Sequence, residues 1–181
     1  MTVTPASQSI GVGGTTQVSV TVSGLDAAGE IISGFDVDVL FNASILNMTG
    51  INFVATPWGG DADVLSNLNS AAGSAGMDMI ALQDDATLDA LQGDSVLLFI
   101  LNFTGLSDGV SFLNFSADPD FGRAVVGRRA QNLVIQVAGA CIAVGTGDCN
   151  GPLPVPEPAS SALFALGLIP VVRRYRQDHN S

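Results

Sequence analysis

The sequence predicts an all-β fold, a sandwich or jelly roll of short strands, and two observations predict it. Apolar residues alternate with polar ones at period two: Val18, Val20 and Val22 are separated by Ser19 and Thr21, and Phe35, Val37 and Val39 by Asp36 and Asp38. A strand turns successive side chains to opposite faces, so this pattern makes one buried face and one wet face. Turn chemistry breaks the alternation at short intervals, at Gly11-Val12-Gly13-Gly14, Ser23-Gly24-Leu25-Asp26, Trp58-Gly59-Gly60-Asp61 and Ser107-Asp108-Gly109. One segment, residues 85–91, has helical spacing, with Leu88 and Leu91 three apart and Asp85 placed to cap about one turn.

In chain order, strands are expected over residues 17–23, 35–41, 45–54, 77–83, 95–104, 110–116, 124–126 and 133–144, the last broken at Gly139. Residues 96–101 are apolar at every position, which marks a central strand covered on both faces or passing under a loop. Phe35, Phe41, Phe99 and Phe103 fall on apolar strand faces and belong to the core. Residues 56–76 form the longest stretch without strand patterning and read as a mobile excursion above one end of the sandwich. A body of about 140 residues buries roughly two-thirds of its extended surface, enough for one core.

The charge balance narrows the function classes. Lysine is absent, acids outnumber arginines 17 to 6, and residues 1–150 hold fifteen of those acids against three arginines. Such a body repels phosphate backbones, which excludes nucleic acid. The sole histidine, His179, lies near the C-terminal end, so the body has no base for a histidine-dependent nucleophile. Paired carboxylates such as Asp84 with Asp85, or Asp118 with Asp120, sit at turns, where acids ordinarily face water. No enzymatic activity is expected and no cofactor is required. Calcium is the one ion such turns would suit, at Asp61 with Asp63 or at Asp118-Pro119-Asp120, although neither has the ordered spacing of a dedicated loop.

Cys141 and Cys149 are separated by seven residues of glycine-rich chain. In an oxidising compartment a disulfide is favoured over two reduced thiols, with a stabilisation of about 2–3 kcal/mol. Zinc lacks ligands.

Residues 155–177 read in three parts: Pro156-Glu157-Pro158, the fourteen-residue apolar run 159–172, and a cluster of Arg173, Arg174 and Arg176. The prolines make an extended, accessible stretch. A helix over the run spans roughly 21 Å, short of a hydrocarbon core near 30 Å, which makes it a marginal anchor. The arginines would stay on the cytoplasmic side and leave the body on the other. Order and position resemble the PEP-CTERM sorting signal. The resemblance implies export, transient anchoring in the inner membrane and processing by an exosortase at Pro156-Glu157-Pro158. Residues 1–5 lack a basic stretch followed by an apolar core, so they are no secretory signal, and the native start is expected upstream or its signal removed.

The body has a resemblance of its own. Residues 20–26 (Val-Thr-Val-Ser-Gly-Leu-Asp), 34–41 (Gly-Phe-Asp-Val-Asp-Val-Leu-Phe), 45–50 (Ile-Leu-Asn-Met-Thr-Gly) and 84–92 are similar to cohesin modules. The resemblance spans about residues 3–144 and implies a nine-stranded jelly-roll sandwich of the cohesin and carbohydrate-binding superfamily. The expected organisation is a cohesin-like body over 1–144, a Gly/Pro linker over 145–154, and a sorting signal over 155–177 with a short hydrophobic helix.

The function expected is that of an exported structural or binding protein of the cell envelope or exopolysaccharide matrix. Its partner would be a polysaccharide or a protein, and a carbohydrate-binding module or a cohesin scaffold domain are the alternatives. The first place to look for a ligand is Trp58 with Asp61 and Asp63, where a flat ring, close backbone approach at Gly59 and Gly60, and carboxylates come together. The competing reading of Trp58 is a lid over the sandwich end. Four Asn-X-Ser/Thr sequons, at Asn42, Asn47, Asn102 and Asn114, read as polar surface.

Overall fold

The computed structural model describes residues 1–117 and 122–150, and Met1–Cys149 form one compact unit. In chain order the elements are β1 (Thr2–Thr4), β2 (Ser7–Ile10), β3 (Thr15–Ser23), helix α1 (Leu25–Ala28), β4 (Gly34–Leu40), β5 (Leu46–Asn52), β6 (Val64–Ala71), β7 (Ser74–Ala81), helix α2 (Asp85–Leu91), β8 (Ser95–Gly105), β9 (Gly109–Phe115), β10 (Arg123–Val126) and β11 (Ala140–Val144). Single 3-10 turns at Thr56–Trp58, Asp61–Asp63 and Arg128–Ala130 complete them. A four-stranded sheet in the order β1-β3-β8-β5 packs on a larger one in the order β2-β11-β9-β4-β7-β6, with β10 also paired to β4.

The fold is therefore the expected all-β sandwich, with eleven strands among the described residues in place of nine. Each expected strand forms at least in part. The additions are β1 and β2, too short to show a period, and β6, which is exposed over most of its length and carries no buried face. Residues 56–76 are thus no excursion: they hold two 3-10 turns, β6 and the start of a tight hairpin. Over 133–144 only Ala140–Val144 forms a strand. The expected hydrophobic helix after residue 158 lies outside the described residues; among those, no helix is long and apolar enough to cross a membrane.

The core follows the alternation. Val18, Val20 and Val22 of β3 face Phe35, Val37 and Val39 of β4 across the layer, and all six are buried. Each such side chain contributes roughly 1.5–3 kcal/mol by leaving water. The apolar run 96–101 has a more local cause than double coverage. Strand β8 is central, paired to β3 on one side and β5 on the other, and its register with β3 shifts where Val20 faces Phe99 and Thr21 faces Leu97. Leu98 is the extra residue of that bulge, so Leu98 and Phe99 are both completely buried although adjacent.

Helix α2 is longer than one turn, and its cap is Asp84 rather than Asp85: Asp84 Oδ1 accepts from the Thr87 amide at 2.8 Å. The Thr87 amide and hydroxyl hold the Asp84 carboxyl below its ordinary range. Helix α1 is a single turn between Gly24 and Gly29, both in the left-handed region.

Candidate interaction face

Strand β4 alternates from Phe35 to Val39, and the side that does not face the core carries Gly34, Asp36, Asp38 and Leu40. Antiparallel pairing places residues of one face opposite one another. The register sets Ile80, Asp78, Gly76 and Ser74 of β7 beside them, and Leu65, Asn67, Asn69 and Ala71 of β6 beside those. On the other flank Val126 and Ala124 of β10 lie opposite Gly34 and Asp36. The outer face is thus a lattice of rows. The row Val126, Gly34, Ile80, Leu65 is apolar, and Ile80 and Leu65 are each 62% exposed. The next row, Ala124, Asp36, Asp78, Asn67, is acidic at its centre, and Asp38 follows behind it.

A groove of 540 Å³ runs along these rows, lined among others by Gly34, Asp36, Asp78, Ile80, Val126 and Ala130. The glycines of these rows are required by shape. A Cβ at Gly76 would stand 2.1 Å from Asp38 Oδ1, and one at Gly34 would stand 3.0 Å from the Met79 carbonyl. The rim turn holds Arg129 and Ala130 at φ 56° and 55°, a conformation that L residues adopt at a cost of about 1–2 kcal/mol each. Hydrogen bonds hold that turn in place. The Arg128 amide donates to Glu30 Oε2 at 3.0 Å, its Nε to the Gly29 carbonyl at 2.7 Å, and the Arg129 amide to Asp85 Oδ2 at 3.1 Å, while the Arg128 guanidinium pairs with Asp89.

The acids of this face are not equivalent. Asp78 accepts from the Asn67 and Asn69 amides at 3.2 and 3.0 Å. Among the described residues, Asp38 Oδ1 is buried without a hydrogen-bond partner. Burial first, and then the negative charges of Asp36 and Asp78, hold its carboxyl above the ordinary range. The strand segments beside Asp38 explain its burial. Ser116 N donates to the Asp38 carbonyl at 3.1 Å and Asp38 N to the Gly122 carbonyl at 2.7 Å, so β9 and β10 follow one another along the same edge of β4.

The site expected at Trp58 is arranged differently. Trp58 is completely buried, its Nε1 donates to the Ile32 carbonyl at 2.8 Å, and its ring lies 5.9 Å from Phe35 and 5.5 Å from Phe53. No ring face is open for stacking on a sugar, and the residue closes the sandwich end beneath α2. Gly59 and Gly60 turn the chain there, at φ 104° and 150°, and a Cβ on Gly59 would stand 2.7 Å from Asp63 Oδ2. Asp61 and Asp63 share the 3-10 turn that follows, at the surface and partly buried respectively. Among the described residues no group of three or more His, Cys, Asp or Glu is arranged to hold a metal ion; Asp118 and Asp120 lie outside them. Cys141 and Cys149 are joined by a disulfide, with Cα atoms 5.9 Å apart. Pro156, Glu157, Pro158, Arg173, Arg174 and Arg176 lie outside the described residues.

The sequence reading missed Asp36, Asp78, Ile80 and Leu65 as site residues. One signal was available: in Met77-Asp78-Met79-Ile80 an apolar residue stands on the wet parity of a strand whose other parity is already apolar.

Comparison with known proteins bears on both parts of the chain. Residues 154–177 match the PEP-CTERM protein-sorting motif. No curated protein matches the sequence. Among solved structures, a type II cohesin domain from the cellulosome of Acetivibrio cellulolyticus superposes with TM-score 0.61 at 12% identity, over 77% of this chain and 91% of that one. The type II cohesin dyad from the adaptor ScaA scaffoldin of the same organism also gives 0.61 at 12% identity, over 78% of this chain and 46% of the dyad, so the chain spans about half its length. The sixth cohesin of scaffoldin B from A. cellulolyticus, in complex with a Cel5 dockerin, gives 0.56 at 14% identity, over 79% and 96%. Its body is thus a β-sandwich with the fold of cohesin domains, and the chain carries a PEP-CTERM protein-sorting motif at residues 154–177.

Proposed function

We propose that the chain is an exported, non-enzymatic binding module of the cell envelope that holds a protein partner on the outer face of β10, β4, β7 and β6. The observation that carries the reading is the apolar row of Val126, Ile80 and Leu65, exposed at Ile80 and Leu65, against the acids Asp36, Asp78 and Asp38. A contiguous apolar strip rimmed by polar groups is what a protein interface buries. The neighbour solved with a dockerin supports a protein as the occupant. The partner's complementary surface would be apolar with a cationic side chain, since the unrelieved charge of the face is negative.

The tail supplies the address. In this reading the sorting motif at 154–177 directs the exported chain to the envelope, and an exosortase cleaves at Pro156-Glu157-Pro158. In this reading the body is the compact unit Met1–Cys149, closed by the Cys141–Cys149 disulfide, so the linker expected over 145–154 begins only after Cys149.

A photo-crosslinking residue placed at position 80 in the producing cell tests the binding face. The expected result is a discrete protein adduct at position 80 that is missing when the crosslinker replaces Val12, 58% exposed outside these rows. Equal adducts at both positions, or none at 80, would contradict it.

A further inference from the structure

Strand β6 ends the larger sheet, and among the described residues no strand pairs with its second edge. The hairpin fixes which backbone groups point there. Ala71 and Ser74 are paired across the two-residue turn Ala72-Gly73, and at the other end Leu82 N donates to the Asp63 carbonyl at 2.8 Å. Odd-numbered residues of β6 therefore turn their N–H and C=O toward β7, and Val64, Ser66, Leu68 and Ser70 turn theirs to the open edge. The other terminal strands are poorer templates. Strands β1 and β2 have three and four residues, and β5 is interrupted by a register shift between Met48 and Gly50. Strand β6 has eight residues in unbroken register and carries no charge and no proline, the devices that ordinarily blunt an edge.

The sequence of that edge says what fits it. Ser66-Asn67-Leu68-Asn69-Ser70 reads the same in both directions, and Leu65 and Val64 on one side answer Ala71 and Ala72 on the other. We propose that β6 pairs with β6 of a second copy of this chain, antiparallel about a two-fold axis at Leu68. The backbone parity allows this register: Leu68 of the two copies form a mutually hydrogen-bonded pair, and Ser66 and Ser70 of each copy form two more with Ser70 and Ser66 of the other. Face parity is kept as well. Leu68, 56% exposed, meets its own counterpart, while Asn67 meets Asn69 on the opposite face. Every opposed pair is uncharged, which matters in a chain of net charge −11. Asp63 would stand opposite Gly73, and Asp78, one strand back, is already held by two amides. The two sandwiches would share one continuous sheet, through an isologous contact that closes at two copies.

Sedimentation velocity of the full chain in a non-ionic detergent, over a wide concentration range, tests the proposal. Reversible association to a dimer is expected for the natural sequence. Leu68→Pro removes an N–H that faces away from β7, so it should leave the thermal midpoint within a few degrees and raise the dimer Kd at least tenfold. Ser66→Lys with Ser70→Lys opposes like charges across the axis and should dissociate the dimer equally; Ser66→Lys with Ser70→Asp opposes unlike charges and should restore it. If Leu68→Pro lowers the midpoint markedly, the two charge variants decide. A natural chain that stays monomeric, association unchanged by the lysine pair, or failure of the Lys/Asp pair to restore it would each overturn the proposal.

Discussion

Two neighbouring regions carry similar residue types and use them in opposite ways. The loop at 56–63 has a tryptophan, two glycines and two carboxylates; the outer face of β4, β7 and β6 has isoleucine, leucine, two glycines and three carboxylates. In the loop the large apolar group points inward, and its one polar atom is satisfied by the Ile32 carbonyl. On the sheet face the apolar groups point outward, and one carboxylate oxygen has no hydrogen-bond partner among the described residues. The first arrangement stabilises the fold. The second gives up stability at a surface, as binding faces do.

Trp58→Ala breaks the comparison most directly and has the largest expected effect. Removing a buried, hydrogen-bonded indole costs about 3–5 kcal/mol, which lowers the melting temperature by roughly 10 °C or more. Thermal unfolding followed by circular dichroism measures it. A midpoint unchanged by the substitution would mean that the ring is dispensable to the core and would restore it as a ligand group.

Two aspartates sharpen the comparison through pH, with smaller effects of opposite sign. Burial and like charge raise the folded-state value of Asp38 above that of the unfolded chain, so its ionised form destabilises the native state above both values. As pH falls through the raised value the native state takes up the proton first and gains stability relative to the unfolded chain. Asp38→Asn should therefore raise the melting temperature at neutral pH. That advantage should shrink between the raised value and the ordinary one near 3.9. Asp84 is the reverse case: its cap bond lowers the folded value, so its contribution is present above the ordinary value and lost as pH falls through the lowered one. Asp84→Ala should lower the midpoint at neutral pH, by a deficit that narrows in acid. Melting curves from pH 7 to pH 3 check both, and a destabilising Asp38→Asn would mean that the carboxylate is satisfied in the native state.

The strands of the core were legible because β3 and β4 obey a period of two, with valine or phenylalanine at every buried position but Gly34. Strand β6 was not legible. It lies at an edge beyond the cover of the opposite sheet, so Leu65, Asn67 and Leu68 obey no burial pattern, and only pairing with β7 makes it a strand. The face was illegible for a related reason. Asp36 and Asp78 are 42 residues apart in sequence, and it is the register of β4 with β7 that sets them opposite each other. Trp58 misled because a sole tryptophan beside glycines has the composition of a binding loop; its direction is fixed by Phe35, Phe53 and the Ile32 carbonyl, which local sequence does not reveal.

The central claim is that the sheet face, and not the tryptophan loop, holds the partner. Retention of the chain in the envelope fraction of the producing cell, measured for Ile80→Asp beside its melting temperature, tests it most directly. Ile80 is 62% exposed, so the substitution should move the midpoint by no more than a few degrees, while a charge in the apolar row should reduce retention at least tenfold. Undiminished retention of a normally folded Ile80→Asp chain would contradict the account.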